Sequence, residues 1–212
     1  MPRRAVLITL FLVLCASSAA CADVSEWYWH FRPGADFGTA SGASDDLDAL
    51  DIPMDYQWSK HVGVFHEFGT GGWTGPTGFY GIDMRSPLEM LPGNSKTWRL
   101  YLWGDLTYPP QYDFLAVTWS GGGMSSAVLD CCEFRLTYVR SAVGVIDDWN
   151  TVGDSILLNE QADGGEWWFP VYRTDNGLDG YIFDLTATVI PEPASVLALT
   201  AGLGALILRR RR

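Results

Sequence analysis

The fold class of this chain is decided near its C-terminal end by Tyr181-Ile182-Phe183-Asp184-Leu185-Thr186-Ala187-Thr188-Val189. The apolar residues Tyr181, Phe183, Leu185, Ala187 and Val189 alternate there with Ile182 and three polar residues. A period of two places alternate side chains on opposite faces of a β-strand. The segment therefore predicts a half-buried strand, which runs directly into Ile190 and Pro191.

The same kind of short, apolar or alternating segment recurs along the preceding sequence. Further strands are predicted at residues 27–31, 62–68, 77–83, 97–102, 114–119, 133–138 and 166–173. Many short strands separated by Gly/Pro turns are typical of a sandwich or barrel. We therefore predict an all-β fold, a single β-sandwich or jelly-roll-like domain over residues 23–189. Only residues 44–50 are predicted to be helical, with Ser44 as the cap and Asp45 and Asp46 in the first turn.

The chain ends in three consecutive parts: Pro191-Glu192-Pro193, an uncharged apolar run at 194–208 and four arginines at 209–212. As a helix the apolar run is about 22 Å long, short of the roughly 30 Å hydrocarbon core, although a bilayer tolerates a short span. The arginines hold the terminus in the cytoplasm. The two prolines keep Glu192 in an extended, exposed peptide beside the membrane. A plain C-terminal anchor is the simpler interpretation.

This order of parts resembles the PEP-CTERM sorting signal of exported bacterial proteins, over residues 190–212. The family motif corresponds to Pro191, Glu192 and Pro193, its transmembrane helix to 194–208 and its basic end to 209–212. The resemblance implies an exosortase partner, a membrane-embedded cysteine transpeptidase that cleaves near the motif. It further implies an inner-membrane intermediate held by the C-terminal helix, then delivery to the cell surface or extracellular matrix. Exopolysaccharide is the partner that the family's setting suggests.

The first 22 residues predict a secretory signal peptide. Arg3 and Arg4 precede the apolar run 5–14, and Ala20-Cys21-Ala22 supplies the small-x-small cleavage pattern. The export translocon and signal peptidase are therefore expected partners, with cleavage after Ala22. Lipoprotein processing at Cys21 is the alternative.

The charge balance excludes a class of function. Removal of residues 1–22 and 209–212 leaves 8 basic residues against 25 acidic ones, a net charge of −17. Such a surface repels nucleic acid, and no basic stripe offsets it. Neither nucleic-acid binding nor a cofactor is expected.

Only Cys131 and Cys132 remain after removal of the signal peptide. A bridge between these neighbours requires a strained ring, outside ordinary disulfide geometry. That bridge, an intermolecular bridge and two buried thiols stay open, and we favour the buried thiols.

Candidate catalytic and metal-ligating residues form no motif. His61 and His66 lack the spacing of a zinc protease, so structural or surface histidines are favoured over a metal site. Glu160, Glu166 and Asp148 are eligible as a glycosidase pair only if they lie at the required separation.

An acidic cluster offers carboxylate oxygens to Ca²⁺ but fails the EF-hand pattern. Its members are Asp45, Asp46, Asp48, Asp51 and Asp55. A capped helical turn with a solvated acidic face is favoured there.

The chain carries 10 tryptophans, whose rings can either fill a core or stack on sugars. The candidates for sugar stacking are Trp27, Trp29, Trp103, Trp167 and Trp168. Trp27 and Trp29 are predicted to share one face of a strand. Burial in the core is the favoured interpretation for any one of them.

The central domain is also similar to cohesin-like β-sandwich modules, which bind protein partners or act as scaffolds. The similarity lies in the run from Gly93 to Trp103, in Ser120-Gly121-Gly122 and in the terminal Phe-Asp-Leu-Thr-Ala-Thr-Val strand. We therefore expect an exported, non-enzymatic structural or adhesive domain. A carbohydrate-binding module and a polysaccharide-active hydrolase are the alternatives.

Overall fold

The computed structural model describes residues 26–32, 34–54, 60–104, 113–141, 152–171 and 179–191. Within them lie eleven strands, one short α-helix (α1) and a 3-10 turn. The strands are β1 Trp27–Arg32, β2 Ala35–Thr39, β3 Ile52–Pro53, β4 Lys60–His66, β5 Gly78–Arg85, β6 Ser95–Gly104, β7 Asp113–Gly122, β8 Cys132–Ser141, β9 Ser155–Leu157, β10 Gly165–Val171 and β11 Asp179–Val189. The helix α1 spans Ser126–Cys131 and the 3-10 turn Asn159–Gln161.

All the strands belong to one sheet, in the order β10-β7-β1-β2-β5-β4-β6-β11-β8-β9, with β3 paired beside β5. Strands β2 and β5 run parallel, whereas the other pairs are antiparallel. The prediction of an all-β fold is confirmed.

The sheet curls because aromatic residues from distant strands share one core. Trp27 and Trp29 alternate along β1 with the exposed Tyr28, and both are almost fully buried. The Phe134 ring on β8 lies edge-on to both, with ring centroids 4.7 Å from Trp27 and 5.5 Å from Trp29. Trp98 on β6 lies 5.4 Å from Trp27. Because β1 is far from β6 and β8 in strand order, these contacts require the two halves of the sheet to face each other.

The last strand follows its sequence pattern. Its predicted inner residues, Tyr181, Phe183, Leu185, Ala187 and Val189, are all buried in β11. On the opposite face, Asp184 and Thr186 are only partly buried. This half-buried strand, placed between β6 and β8, is the prediction from the opening segment and it is confirmed.

Residues 44–50 do not form the predicted helix but a series of turns and bends. The Asp48 carboxylate accepts hydrogen bonds from the backbone amides of Ser44 and Leu50, both at 2.6 Å. Such side-chain bonds give the backbone amides partners outside a helix and so compete with it. The helix of the described chain is instead α1, where the Ser125 hydroxyl caps the Val128 amide at 3.3 Å.

Two predicted segments lie outside the described residues: the signal peptide at 1–22 and the apolar helix at 194–208. Among the residues that the structure describes, no helix is long and apolar enough to cross a membrane.

Replacement of Trp29 by Ala should lower the free energy of unfolding by about 3–5 kcal/mol, because it leaves a large cavity beside Phe134. The matched control is Tyr28→Ala, at a neighbouring aromatic that is 37% exposed. This control should cost less than about 1 kcal/mol. Denaturant unfolding measures both, and equal losses would contradict the assignment of the inner face.

Candidate functional site

A pocket opens where β4 separates from β6. Strand β4 pairs with β6 only from Lys60 to Val64, and its last residues, Phe65 and His66, pair with β5 alone. The gap beside the first half of β6 forms a pocket of about 270 Å³. It is lined by Asp45, Phe65, His66, Glu67, Thr70, Gly71, Trp73, Arg85, Thr97, Arg99 and Asp184. We call it the β4–β6 pocket.

The floor of this pocket includes His66 and Arg85, which the buried Asp83 holds from behind in one charge network. Asp83, which is 1% exposed, accepts a hydrogen bond from His66 Nε2 at 2.9 Å and one from Arg85 Nη2 at 3.2 Å. Burial by itself raises the pKa of Asp83, but the hydrogen bond from His66 and the charge of Arg85 outweigh it and hold that pKa below its usual value. The Asp83 carboxylate is therefore ionised and fixed in place.

A glycine-rich loop closes one side of the floor. Gly69, Gly71 and Gly72 have φ angles of 80°, 62° and 90°, a left-handed region that favours glycine. The loop brings Trp73 flat against His66, with ring centroids 3.7 Å apart and the planes 14° from parallel. Because the Trp73 indole donates to the Pro76 carbonyl at 3.2 Å, both the ring and the imidazole are held in one orientation.

Arg85 links the pocket to the core and to the unpaired side of β6. Its guanidinium lies 4.9 Å from the centroid of the Trp98 ring and donates to the Thr97 carbonyl at 2.8 Å through Nη1. This backbone carbonyl belongs to the part of β6 that β4 leaves. The side chain of Arg85 thus replaces a strand partner and keeps the pocket open.

The rim carries an exposed ion pair on the outer face of the sheet. Arg99 donates through Nε to Asp184 Oδ1 and through Nη2 to Asp184 Oδ2, both at 2.9 Å. These residues lie directly opposite each other on β6 and β11. The side chain of Arg99 is 49% exposed, so the pair adds little stability but presents donors and acceptors to solvent.

Three half-buried aromatic rings adjoin this ion pair: Phe65 on β4, Phe79 on β5 and Tyr101 on β6. Their ring centroids are separated by 5.2 Å (Phe65–Phe79), 5.0 Å (Phe65–Tyr101) and 5.3 Å (Phe79–Tyr101). We call them the aromatic triad. Phe65 also lines the β4–β6 pocket, so an apolar surface and a charged pair meet at one opening.

The structure corrects the prediction of Trp27 and Trp29 as sugar-stacking residues. Their side chains are 1% and 0% exposed in the core, so neither ring offers a face to a ligand. Trp103 lies in β6, and Trp167 and Trp168 lie in β10. The side chains of these three lie outside what the structure describes.

Of the predicted sorting and glycosidase residues, none that the structure describes lines the pocket. Pro191 is exposed just beyond β11, whereas Glu192, Pro193, Ala20 and Ala22 lie outside the described residues. The glycosidase candidates Glu160 and Glu166 are exposed, neither lines the pocket, and Asp148 lies outside the described residues.

The acidic cluster holds loops together through its carboxylates. Asp46 accepts from the Thr74 amide and hydroxyl, both at 2.6 Å, and Asp45 accepts from Lys96 and from the Ser86 hydroxyl. Asp55 lies outside the described residues. Over the residues that the structure covers, no group of His, Cys, Asp and Glu is arranged to hold a metal ion.

The two cysteines of the domain differ in state. Cys131 is disulfide-bonded, while Cys132 is a buried free thiol. In the full-length chain the expectation of two thiols is therefore wrong for Cys131, and a bridge between the two neighbours is not formed. Burial raises the pKa of Cys132 to about 11, so its thiol stays protonated at neutral pH.

No family model, curated protein or solved structure matches this chain. A functional proposal for the β4–β6 pocket therefore depends on its own chemistry. The pocket combines a fixed, internally paired floor with a rim that can donate and accept hydrogen bonds beside an aromatic ring. Such a mixture of apolar surface and a few oriented polar groups is typical of a small-molecule site.

Replacement of Asp83 by Asn should destabilise the fold by about 3–5 kcal/mol, because it leaves the partly buried Arg85 charge without its buried partner. The matched control is Asp184→Asn, which breaks the exposed pair with Arg99 and should cost about 0–1 kcal/mol. Chemical denaturation compares the two variants. Similar losses would contradict the difference in burial between the floor and the rim.

The raised pKa of Asp51 makes the stability of the fold depend on pH, and one substitution tests this dependence. Burial raises its pKa to about 6, the Asp83 and Asp48 carboxylates act in the same direction, and hydrogen bonds from the Asp48 and Met84 amides oppose them. The folded chain thus holds a proton that the unfolded chain releases near pH 4. Stability should therefore fall by about 1–3 kcal/mol as the pH rises from about 4 to 6.

Replacement of Asp51 by Asn should remove this fall, since an amide does not titrate. The free energy of unfolding is measured for both proteins across this pH range and the difference is taken. Parallel profiles would contradict the raised pKa of Asp51.

Proposed function

We propose that this chain is an exported cell-surface or extracellular-matrix protein, delivered by a signal peptide and processed by an exosortase-type transpeptidase. Its domain would be a β-sandwich of jelly-roll type with a non-enzymatic structural or adhesive role. The curled all-β sheet, with two halves packed over one aromatic core, supports this classification. Domains of this kind present rigid outer faces and loops to partners.

The observation that carries the proposal is the position of Pro191, the first residue of the proposed sorting motif, relative to the folded domain. The end of β11 is tied down, since Val189 donates to the Asn94 carbonyl and Ile190 to the Cys131 carbonyl, both at 2.9 Å. Pro191 follows at once and is exposed. The motif therefore begins where the domain ends, and a membrane-embedded enzyme would cut close to the protein body.

A binding role is supported by the pairing of the charged groups in the pocket. The side chains of His66 and Arg85 are both engaged with Asp83, and that of Arg99 is engaged with Asp184. Thr97, a lining residue with a hydroxyl, shares a 2.9 Å hydrogen bond with Thr186. These groups are arranged to hold one another in place, and this arrangement favours recognition over catalysis.

A carbohydrate-binding module is the second candidate, and the aromatic triad is the observation that favours it. Aromatic rings on an outer sheet face provide flat apolar surfaces for sugar rings. The hydrolase alternative has no such observation, because Glu160 and Glu166 lie apart from the pocket lining.

Replacement of Glu192 by Ala should trap full-length precursor in the membrane fraction, because the recognition element is lost while the apolar helix and the arginines remain. Immunoblots of fractionated cells of the natural host, or of a host that carries an exosortase, measure the precursor and the released form.

The matched control is Glu160→Ala, an exposed glutamate of the domain, which should be processed as the parent protein is. Unchanged processing of the Glu192→Ala variant would contradict recognition of the motif and would favour a plain C-terminal anchor.

A further inference from the structure

We propose that the β4–β6 pocket binds a neutral sugar ring, which stacks on Phe65 and hydrogen-bonds to the Arg99–Asp184 pair. This inference rests on the proposed adhesive function and specifies its ligand class. In this proposal the sugar ring stacks on a phenylalanine and not on any of the tryptophans that the sequence suggested.

The platform for the ring is Phe65. Its side chain is held against Phe79 and Tyr101, at centroid distances of 5.2 Å and 5.0 Å, while part of it remains open to the pocket. A ring that is fixed before the ligand arrives loses little conformational entropy on binding. The apolar C–H face of a pyranose can therefore pack on Phe65 as it would on any exposed aromatic ring.

The polar partners for the sugar are on the rim. Arg99 uses Nε and Nη2 for Asp184, and among the described residues its Nη1 group has no hydrogen-bond partner. Each Asp184 oxygen accepts one bond from Arg99 and retains a lone pair. The pair can thus donate to one hydroxyl and accept from its neighbour, as two adjacent sugar hydroxyls require.

The size and charge of the pocket favour a small, uncharged ligand. Its volume of about 270 Å³ lies just below the range of about 300–1,000 Å³ for drug-sized ligands and suits one sugar ring. The arginines of the lining are already neutralised by Asp83 and Asp184, and Glu67 adds an exposed carboxylate. Together with the acidic surface of the domain, this composition disfavours uronic acids and sulfated sugars.

The experiment uses the full chain in a detergent whose headgroup is not a sugar. Methyl glucoside, methyl galactoside and methyl mannoside are the neutral probes, and methyl glucuronide is the anionic probe. Saturation-transfer NMR detects binding and titration calorimetry measures it. We expect at least one neutral glycoside to bind with a Kd of about 1 mM, and more tightly than the glucuronide.

Two substitutions locate the site. Phe65→Leu removes the aromatic face and Asp184→Asn removes the charged acceptor, and each should weaken binding by about tenfold or more. Phe65→Trp should retain binding, because it keeps an aromatic platform. The matched control Glu133→Gln breaks a comparable pair with Arg135 elsewhere on the same sheet and should leave the affinity unchanged.

Three results would overturn the proposal: no binding of any neutral glycoside, unchanged affinity in the Phe65→Leu and Asp184→Asn variants, or tighter binding of the glucuronide. Near-ultraviolet circular dichroism shows whether each variant retains its packed core. If the parent protein is exported, processed and adhesive but binds no glycoside, the sugar site fails while the proposed function stands. If export and processing fail, the proposed function falls independently of the pocket.

Discussion

The packing of Trp27 and Trp29 against Phe134, and of Trp27 against Trp98, is the interaction on which the rest of the structure depends. Trp27 and Trp29 lie on β1, which is far in the order of the sheet from β6 and β8, the strands that carry Trp98 and Phe134. Only a curled sheet lets them meet, so the curvature follows from the need to bury large apolar rings. Since each such ring contributes on the order of 2–3 kcal/mol when buried, their combined effect is comparable to the net stability of a domain.

The β4–β6 pocket is a consequence of this core. The guanidinium of Arg85 lies over the Trp98 ring, so the core fixes its position. It donates a hydrogen bond to the Thr97 carbonyl, in place of the bond that a neighbouring strand would make. The 2.9 Å hydrogen bond between His66 and Asp83 completes the floor. The outer face of the same strands carries Phe65 and the Arg99–Asp184 pair. A rigid interior therefore positions a modest binding surface, and the surface itself contributes little to stability.

The alternation in β11 could be recognised from sequence because nine consecutive residues follow one period. Strand β2 was missed, since Ala35, Asp36 and Gly38 have weak strand preference and its burial comes from parallel pairing with β5. Alternation also placed Trp27 and Trp29 on one face, but it cannot say which face is inside. His66 and Asp83 are 17 positions apart, and only strand register and the glycine-rich loop bring them together. Asp83 and Arg85 are two positions apart in a strand that is otherwise largely apolar. This pair of charged residues was the only feature of the sequence from which the buried charge network could have been predicted.

The most direct test of the central claim is hydrogen exchange at the indole N–H groups of Trp27, Trp29 and Trp98, followed by ¹⁵N NMR and assigned with single Trp→Phe variants. All three indole nitrogens are buried. We expect their protons to exchange only as fast as the whole domain unfolds, because the curled sheet encloses them. Exchange of the Trp27 and Trp29 protons at the rate of a solvent-exposed indole would contradict a core built from these rings. The two tryptophans would then again be candidates for ligand binding at the surface.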